Sequence, residues 1–198
     1  MLRAIIKFVL RIATLILFRV KVVGQENIKK GKSYIICPNH LSFWDAPTLV
    51  AALKRNDMYI LAKEELYKNG LIKWIARKTR VLPVKKGSGD AGMLKVCLKA
   101  LKENHIVLLF PEGTRNGIAK HGKLHNGAVL MNLMSGAPII PIGLQTKTNY
   151  KLFTKVKINI GKPMDFSEYK ERKNDKELLN ELSNILMEEI IRLTNEVI

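Results

Sequence analysis

The chain has 198 residues, 47% hydrophobic and 26% charged, with 13 Gly and 7 Pro, a balance that excludes a disordered or fibrous chain and fits one compact domain with a sizeable core. Two cysteines, Cys37 and Cys97, match no zinc spacing and build no disulfide framework, so a reduced, cytoplasmic-side setting is expected. The formal charge of +17 predicts attraction to a polyanion: nucleic acid, an anionic bilayer, phosphorylated ligands or acidic carriers.

Residues 1–20 read MLRAIIKFVLRIATLILFRV. Arg3, Lys7 and Arg11 recur every four residues and share one face of a helix, while Ile5, Ile6, Val9, Leu10, Ile12, Ile16 and Leu17 cover most of the rest. The longest uncharged run, Ile12–Phe18, is far short of the roughly 20 residues a spanning helix needs, and no small-residue cleavage pattern marks a signal peptide. An apolar helix with one basic stripe fits the membrane interface, against the alternative of a core helix with a solvated edge. The expected division is therefore 1–20 as a membrane-interface helix and 21–198 as the functional domain.

Phe18–Val23 alternates and predicts a strand, closed by a turn at Gly24–Asn27. Ser33–Cys37 predicts a short buried strand stopped by Pro38. A helix is expected to start at Asp45 as N-cap, with Pro47 in its first turn, and to run to about Leu53. Met58–Ala62 and Arg80–Val84 predict strands, with helical pieces over Glu64–Lys78 interrupted near Asn69-Gly70. Residues 91–103 have helical periodicity, and Ile106–Phe110 is a continuous apolar strand. A long polar loop over 111–126 precedes a helix over Gly127–Met134 and strands over Pro138–Leu144 and Lys155–Ile160; loops of that length are usually functional. From about Asp175 the tail reads as an amphipathic packing helix. Strands alternating with helices predict an α/β single domain with a mixed, largely parallel sheet flanked by helices.

Two blocks carry chemistry. In Asn39-His40-Leu41-Ser42-Phe43-Trp44-Asp45 a histidine and an aspartate are separated by the turn from a strand end into a helix start. Histidine suits proton transfer near neutral pH, and an aspartate on one ring nitrogen leaves the other free to accept a proton. The plainer alternatives are a helix cap for Asp45 and a hydrogen-bonded loop residue for His40. In Phe110-Pro111-Glu112-Gly113-Thr114-Arg115 a buried strand delivers a polar segment to a sheet edge, where α/β ligand sites lie. Gly113 permits close backbone approach to an anion, Thr114 offers a hydroxyl, and the Arg115 fork suits phosphate. Glu112 can bond a substrate hydroxyl or orient Arg115. Between the blocks, residues 54–102 hold thirteen Lys or Arg against four acids, and Lys85-Lys86 follows a strand directly and can supply a second phosphate contact. Cys37 lies close enough in sequence to His40 to suggest a Cys–His nucleophile, but its apolar strand favours a packed thiol.

These blocks, in this order, resemble the glycerolipid acyltransferase family, in particular its members that act on 1-acyl-sn-glycerol 3-phosphate. Asn39-His40-x4-Asp45 and Phe110–Arg115 match two family motifs, and Ala137-Pro138-Ile139-Ile140-Pro141 is similar to a third. Lys86 stands where the family usually has Arg, and His125 where a Lys is common. The resemblance implies the family's acyltransferase fold and His40 and Asp45 as catalytic pair, with Asn39, Lys85, Lys86, Glu112, Gly113, Thr114 and Arg115 on the substrate. It implies acyl transfer from acyl-CoA or acyl-carrier protein as co-substrate to the 2-hydroxyl of lysophosphatidic acid, giving phosphatidic acid, with neither metal nor cofactor. The implied partners are membrane lipid, an anionic bilayer surface and acyl carrier protein, at the cytoplasmic face of the cell membrane. Sister acyltransferases with other glycerolipid or lysophospholipid acceptors are the alternatives. Nucleic-acid binding, open to any chain of this charge, finds no motif or aromatic platform here.

Overall fold

The apolar runs become the middle of a seven-stranded sheet. A computed structural model describes residues 2–53, 55–84, 91–115, 124–147, 150–151 and 153–196, without the side chains of 2–4, 6, 7, 10, 15, 71 and 72. Its strands are β1 (Arg19–Val23), β2 (Tyr34–Pro38), β3 (Met58–Lys63), β4 (Val81–Val84), β5 (Ile106–Leu108), β6 (Ile139–Thr146) and β7 (Lys155–Ile160). Its helices are α1 (Leu2–Leu17), α2 (Asp45–Ala52), α3 (Gly70–Thr79), α4 (Ala91–Lys102), α5 (Gly127–Ser135) and α6 (Lys176–Asn195), with short 3-10 turns at Gln25–Asn27, Glu64–Lys68 and Ser167–Arg172.

The sheet order is β1-β7-β6-β2-β5-β3-β4. Strands β2 to β6 run in one direction; β7 is antiparallel to β6, and β1 is parallel to β7. This is the mixed, largely parallel α/β sheet expected from the alternation of elements. Every residue of β2 and β5 is buried, because both faces of the central sheet are covered. Alternate residues divide between two cores. Ile35, Cys37, Val107 and Ile139 face the layer of α4, α5 and α6. Tyr34, Ile36, Leu108, Ile140, Ile142 and Leu144 face the layer that holds Phe18, Leu49 and Leu53.

The tail is a packing helix, as its periodicity predicts. The Asp175 carboxylate caps α6 by accepting from the backbone N–H groups of Glu177 and Leu178. The helix lies so close to β6 that a Cβ at Gly143 would stand 2.4 Å from the Leu193 backbone. Glycine is required there by the approach of the helix.

Helix α1 packs on α2 and α3. It leaves Ile5, Phe8, Val9, Ile12 and Ile16 exposed, and Trp74 of α3 is exposed as well. Arg11 is half-exposed; the Arg3 and Lys7 side chains of the expected basic stripe lie outside the described residues. Among the described residues no helix is long and apolar enough to cross a membrane.

Candidate active site

Because β2, β5 and β6 are parallel, the segments that follow them emerge at the same edge of the sheet. Past Pro38 the pairing of β2 with β6 continues through a side chain. Asn39 is fully buried; its Nδ2 donates to the Leu144 carbonyl at 3.0 Å, and the Leu144 N–H donates to its Oδ1 at 2.6 Å. The carboxamide stands in for a peptide group of the ladder and brings His40 out at a set angle. Both of its polar atoms are thereby engaged with the Leu144 backbone.

His40 is held from three sides. Its backbone N–H donates to Glu112 Oε1 at 2.9 Å, its ring stacks on Phe110 at 3.9 Å between centroids, and its Nδ1 lies 2.7 Å from Asp45 Oδ2. A carboxylate accepts, so the proton of the neutral ring sits on Nδ1 and Nε2 is left with its lone pair. The His40 side chain is 16% exposed and that of Asp45 is 0% exposed, which places the free nitrogen at a wall of the fold and its partner inside.

Asp45 is not the cap of α2. Trp44 occupies that position without a side-chain bond, and Asp45 is the first helical residue. Its Oδ2 turns back instead and accepts from the Leu41 and Ser42 N–H groups at 2.7 Å each, in addition to His40. The segment between the two residues folds around the carboxylate, which corrects the expectation of a cap: the oxygen that a cap would spend on its helix is spent on the loop.

The second block meets the first directly. Glu112 is buried and bonded to His40. Burial pushes its carboxyl up from the ordinary range and the Asp45 charge adds to this, while the His40 N–H and ring oppose it. Gly113 has a left-handed φ of 61°, and a Cβ there would stand 2.5 Å from the His125 ring. The space freed by the missing side chain is filled by that imidazole, and the His125 N–H donates to the Pro111 carbonyl at 3.0 Å. Thr114 is half-buried and Arg115 exposed, with the guanidinium carbon 5.8 Å from the Phe43 ring centroid. Lys85 and Lys86 lie outside the described residues.

Phe110 and His125 were not among the expected site residues. Phe110 ends the apolar run of β5, which was a signal for burial but not for stacking on His40. Cys37 is fully buried on the face toward α4–α6, and burial pushes its thiol far up, so a packed thiol is what the strand holds.

The arrangement is an oriented imidazole whose backbone is bonded to Glu112, with an exposed guanidinium three residues further along the same segment. It can take a proton from a hydroxyl on an anionic substrate and return it to a leaving group. The family model described as Acyltransferase matches residues 19–145, which contain both blocks. The 1-acyl-sn-glycerol-3-phosphate acyltransferase of Bacillus subtilis (strain 168) is 30% identical over 181 residues, 90% of this chain and 89% of that protein. The protein of the same name from Streptococcus pneumoniae (strain ATCC BAA-255 / R6) is 27% identical over 171 residues, 84% of this chain and 62% of that protein. The crystal structure of the 1-acyl-sn-glycerophosphate (LPA) acyltransferase PlsC from Thermotoga maritima superposes with a TM-score of 0.71 at 23% identity, covering 99% of this chain and 81% of that one, and shares the fold. The matched span and the similarity to the Bacillus protein together show that this chain is a member of the acyltransferase family.

Proposed function

We propose that the protein moves a fatty acyl group from a thioester to the 2-hydroxyl of 1-acyl-sn-glycerol 3-phosphate, making phosphatidic acid for phospholipid synthesis. The observation that carries this reading is the 2.7 Å contact between His40 Nδ1 and Asp45, which leaves Nε2 open on the edge that also bears Glu112 and Arg115. The names of the Bacillus and Streptococcus relatives support the acceptor.

In this reading His40 Nε2 takes the proton as the acceptor oxygen attacks the thioester carbonyl carbon. Asp45 holds the ring and stabilises the imidazolium. The tetrahedral intermediate then expels the thiolate, the C–S bond breaks, and the imidazolium proton passes to sulfur. A thioester is already activated, so the work of the site is positioning and proton movement. Arg115 binds the acceptor phosphate together with Lys85 and Lys86, and Thr114 assists. Glu112 keeps one carboxylate oxygen for the glycerol part while the other holds the His40 N–H. The donor is acyl-CoA or acyl-carrier protein, drawn by the basic surface. The exposed apolar side of α1 and Trp74 rest on the cytoplasmic face of the membrane, and residues 21–198 form the catalytic body.

The test is radiolabelled acyl transfer in anionic vesicles to a panel of acceptors: lysophosphatidic acid, glycerol 3-phosphate and lysophospholipids with larger headgroups. Transfer to lysophosphatidic acid above the others is expected. Preference for another acceptor would move the protein to a sister activity, and salt-sensitive RNA or DNA binding without any transfer would overturn the reading. In the same vesicles, sedimentation of the protein is expected to fall when residues 1–20 are deleted; unchanged sedimentation would remove α1 as the anchor.

A further inference from the structure

Behind the dyad, three buried oxygens lack a hydrogen bond of regular geometry: Asp45 Oδ1, Thr48 Oγ1 and the Tyr150 hydroxyl. Oδ2 of Asp45 is occupied three times over, by His40, Leu41 and Ser42, while Oδ1 has no such bond. Thr48 is fully buried and one helical turn from Asp45, on the same side of α2. Tyr150 arrives from the segment between β6 and β7 and is 7% exposed. Its ring meets Phe18 edge-on at 5.0 Å, and Phe18 in turn meets Trp44, the neighbour of Asp45, at 5.6 Å. Tyr150 is held at a φ of 62°, a left-handed conformation that a large side chain keeps only where its surroundings enforce it.

We propose that Tyr150, supported by Thr48, is a positioning residue for the reaction: its hydroxyl donates to Asp45 Oδ1, fixes the rotation of that carboxylate, and so keeps the His40 proton on Nδ1 and Nε2 free. Burial, together with the Asp45 charge, pushes the Tyr150 hydroxyl up, so it remains a donor across the working pH range. With that single proton given to Asp45, the phenol oxygen accepts from the Thr48 hydroxyl, which works against the rise. Among the described residues Glu112 also meets His40, and it bonds the backbone N–H, leaving Nδ1 to Asp45. Tyr150 does not touch substrate in this arrangement; it acts through Asp45. The inference rests on the dyad reading of the proposed function and extends it to a third element.

The experiment compares Tyr150→Phe with the unaltered protein, with Thr48→Val as a second isosteric variant should the first fail to fold. Tyr150→Phe keeps the ring against Phe18, so the melting temperature reports packing separately. In protein labelled with 15N-histidine, the His40 ring signals are identified by their loss in His40→Ala. At a fixed pH where the ring is neutral, the two ring-nitrogen shifts are expected to be well separated in the unaltered protein and to move toward each other in Tyr150→Phe. The turnover number kcat is expected to fall roughly tenfold or more with KM for the acceptor unchanged, since orientation of the base matters only in the transition state. Thr48→Val is expected to move the same signals less. A His40 pattern identical to the unaltered protein in folded Tyr150→Phe, or in folded Thr48→Val where that variant has to serve, overturns the role. The nitrogen shifts need no substrate, so failure of transfer to every acceptor would reject the proposed function while leaving this inference to be decided on its own.

Discussion

The two exits from the parallel strands, after β2 and after β5, serve one site with opposite physical designs. After β2, the anchoring groups are inside: Asn39 and Asp45 are each 0% exposed, and the Asn39 amide and Asp45 Oδ2 are bonded to backbone. After β5, the chain passes from buried Glu112 through half-buried Gly113 and Thr114 to exposed Arg115. Proton transfer depends on the direction of one lone pair, and a small angular error is expensive. Holding a phosphate depends on charge and a planar fork, which work at a wet surface and adapt to the ligand. In the proposed reading the site is thus braced where a proton would move and open where an anion would be held.

Substitutions at three positions sharpen or break this contrast. The largest effect is expected for His40→Ala: transfer falls by roughly 10²–10⁴-fold or to background, while far-UV circular dichroism and melting are retained, because the ring lies at a wall of the site. Turnover equal to the unaltered protein would end the proposed mechanism. Next is Asn39→Ala, which strands the Leu144 N–H and carbonyl in the core. A loss of roughly 2–4 kcal/mol in chemical denaturation is expected from two buried unsatisfied groups, with activity lost in proportion to folded protein. Stability unchanged within error would show that the β2 exit is not braced by this amide. The smallest effect belongs to the exposed side. Arg115→Ala is expected to raise KM for the phosphate-bearing acceptor about tenfold and to leave kcat and melting unaltered, with Arg115→Lys in between. A fall in kcat at constant KM would mean that Arg115 belongs with the rigid half of the site.

Much of the fold was legible because burial writes itself into apolar runs. The strands at 34–38, 106–108 and 155–160 were expected within a residue or two, and the tail helix with its Asp175 boundary as well. Parallel pairing followed from alternation of strands with helices. The cap assigned to Asp45 was misleading because cap and inward-turned carboxylate share the same local sequence. What distinguishes them is where the Leu41 and Ser42 N–H groups point, a property of the folded loop. The bonds of Asn39 are hidden for a similar reason: a polar residue at a strand end looks exposed until its neighbour β6 is placed beside it.

From the sequence alone came the residue types and their spacing: an imidazole and a carboxylate across one strand-to-helix turn, a Glu-Gly-Thr-Arg segment after a buried strand, and a basic, apolar N-terminal helix. Those properties are local, set by short-range periodicity and turn chemistry. Tertiary structure decided which atoms meet. Phe110 reaches the His40 ring, Glu112 the His40 backbone, and Leu144 the Asn39 amide only because the sheet order sets β2 between β5 and β6. Tyr150 comes to the back of the dyad through the segment that follows β6. No local pattern encodes such contacts, since they depend on loop closure over long separations and on the order in which the strands are laid side by side.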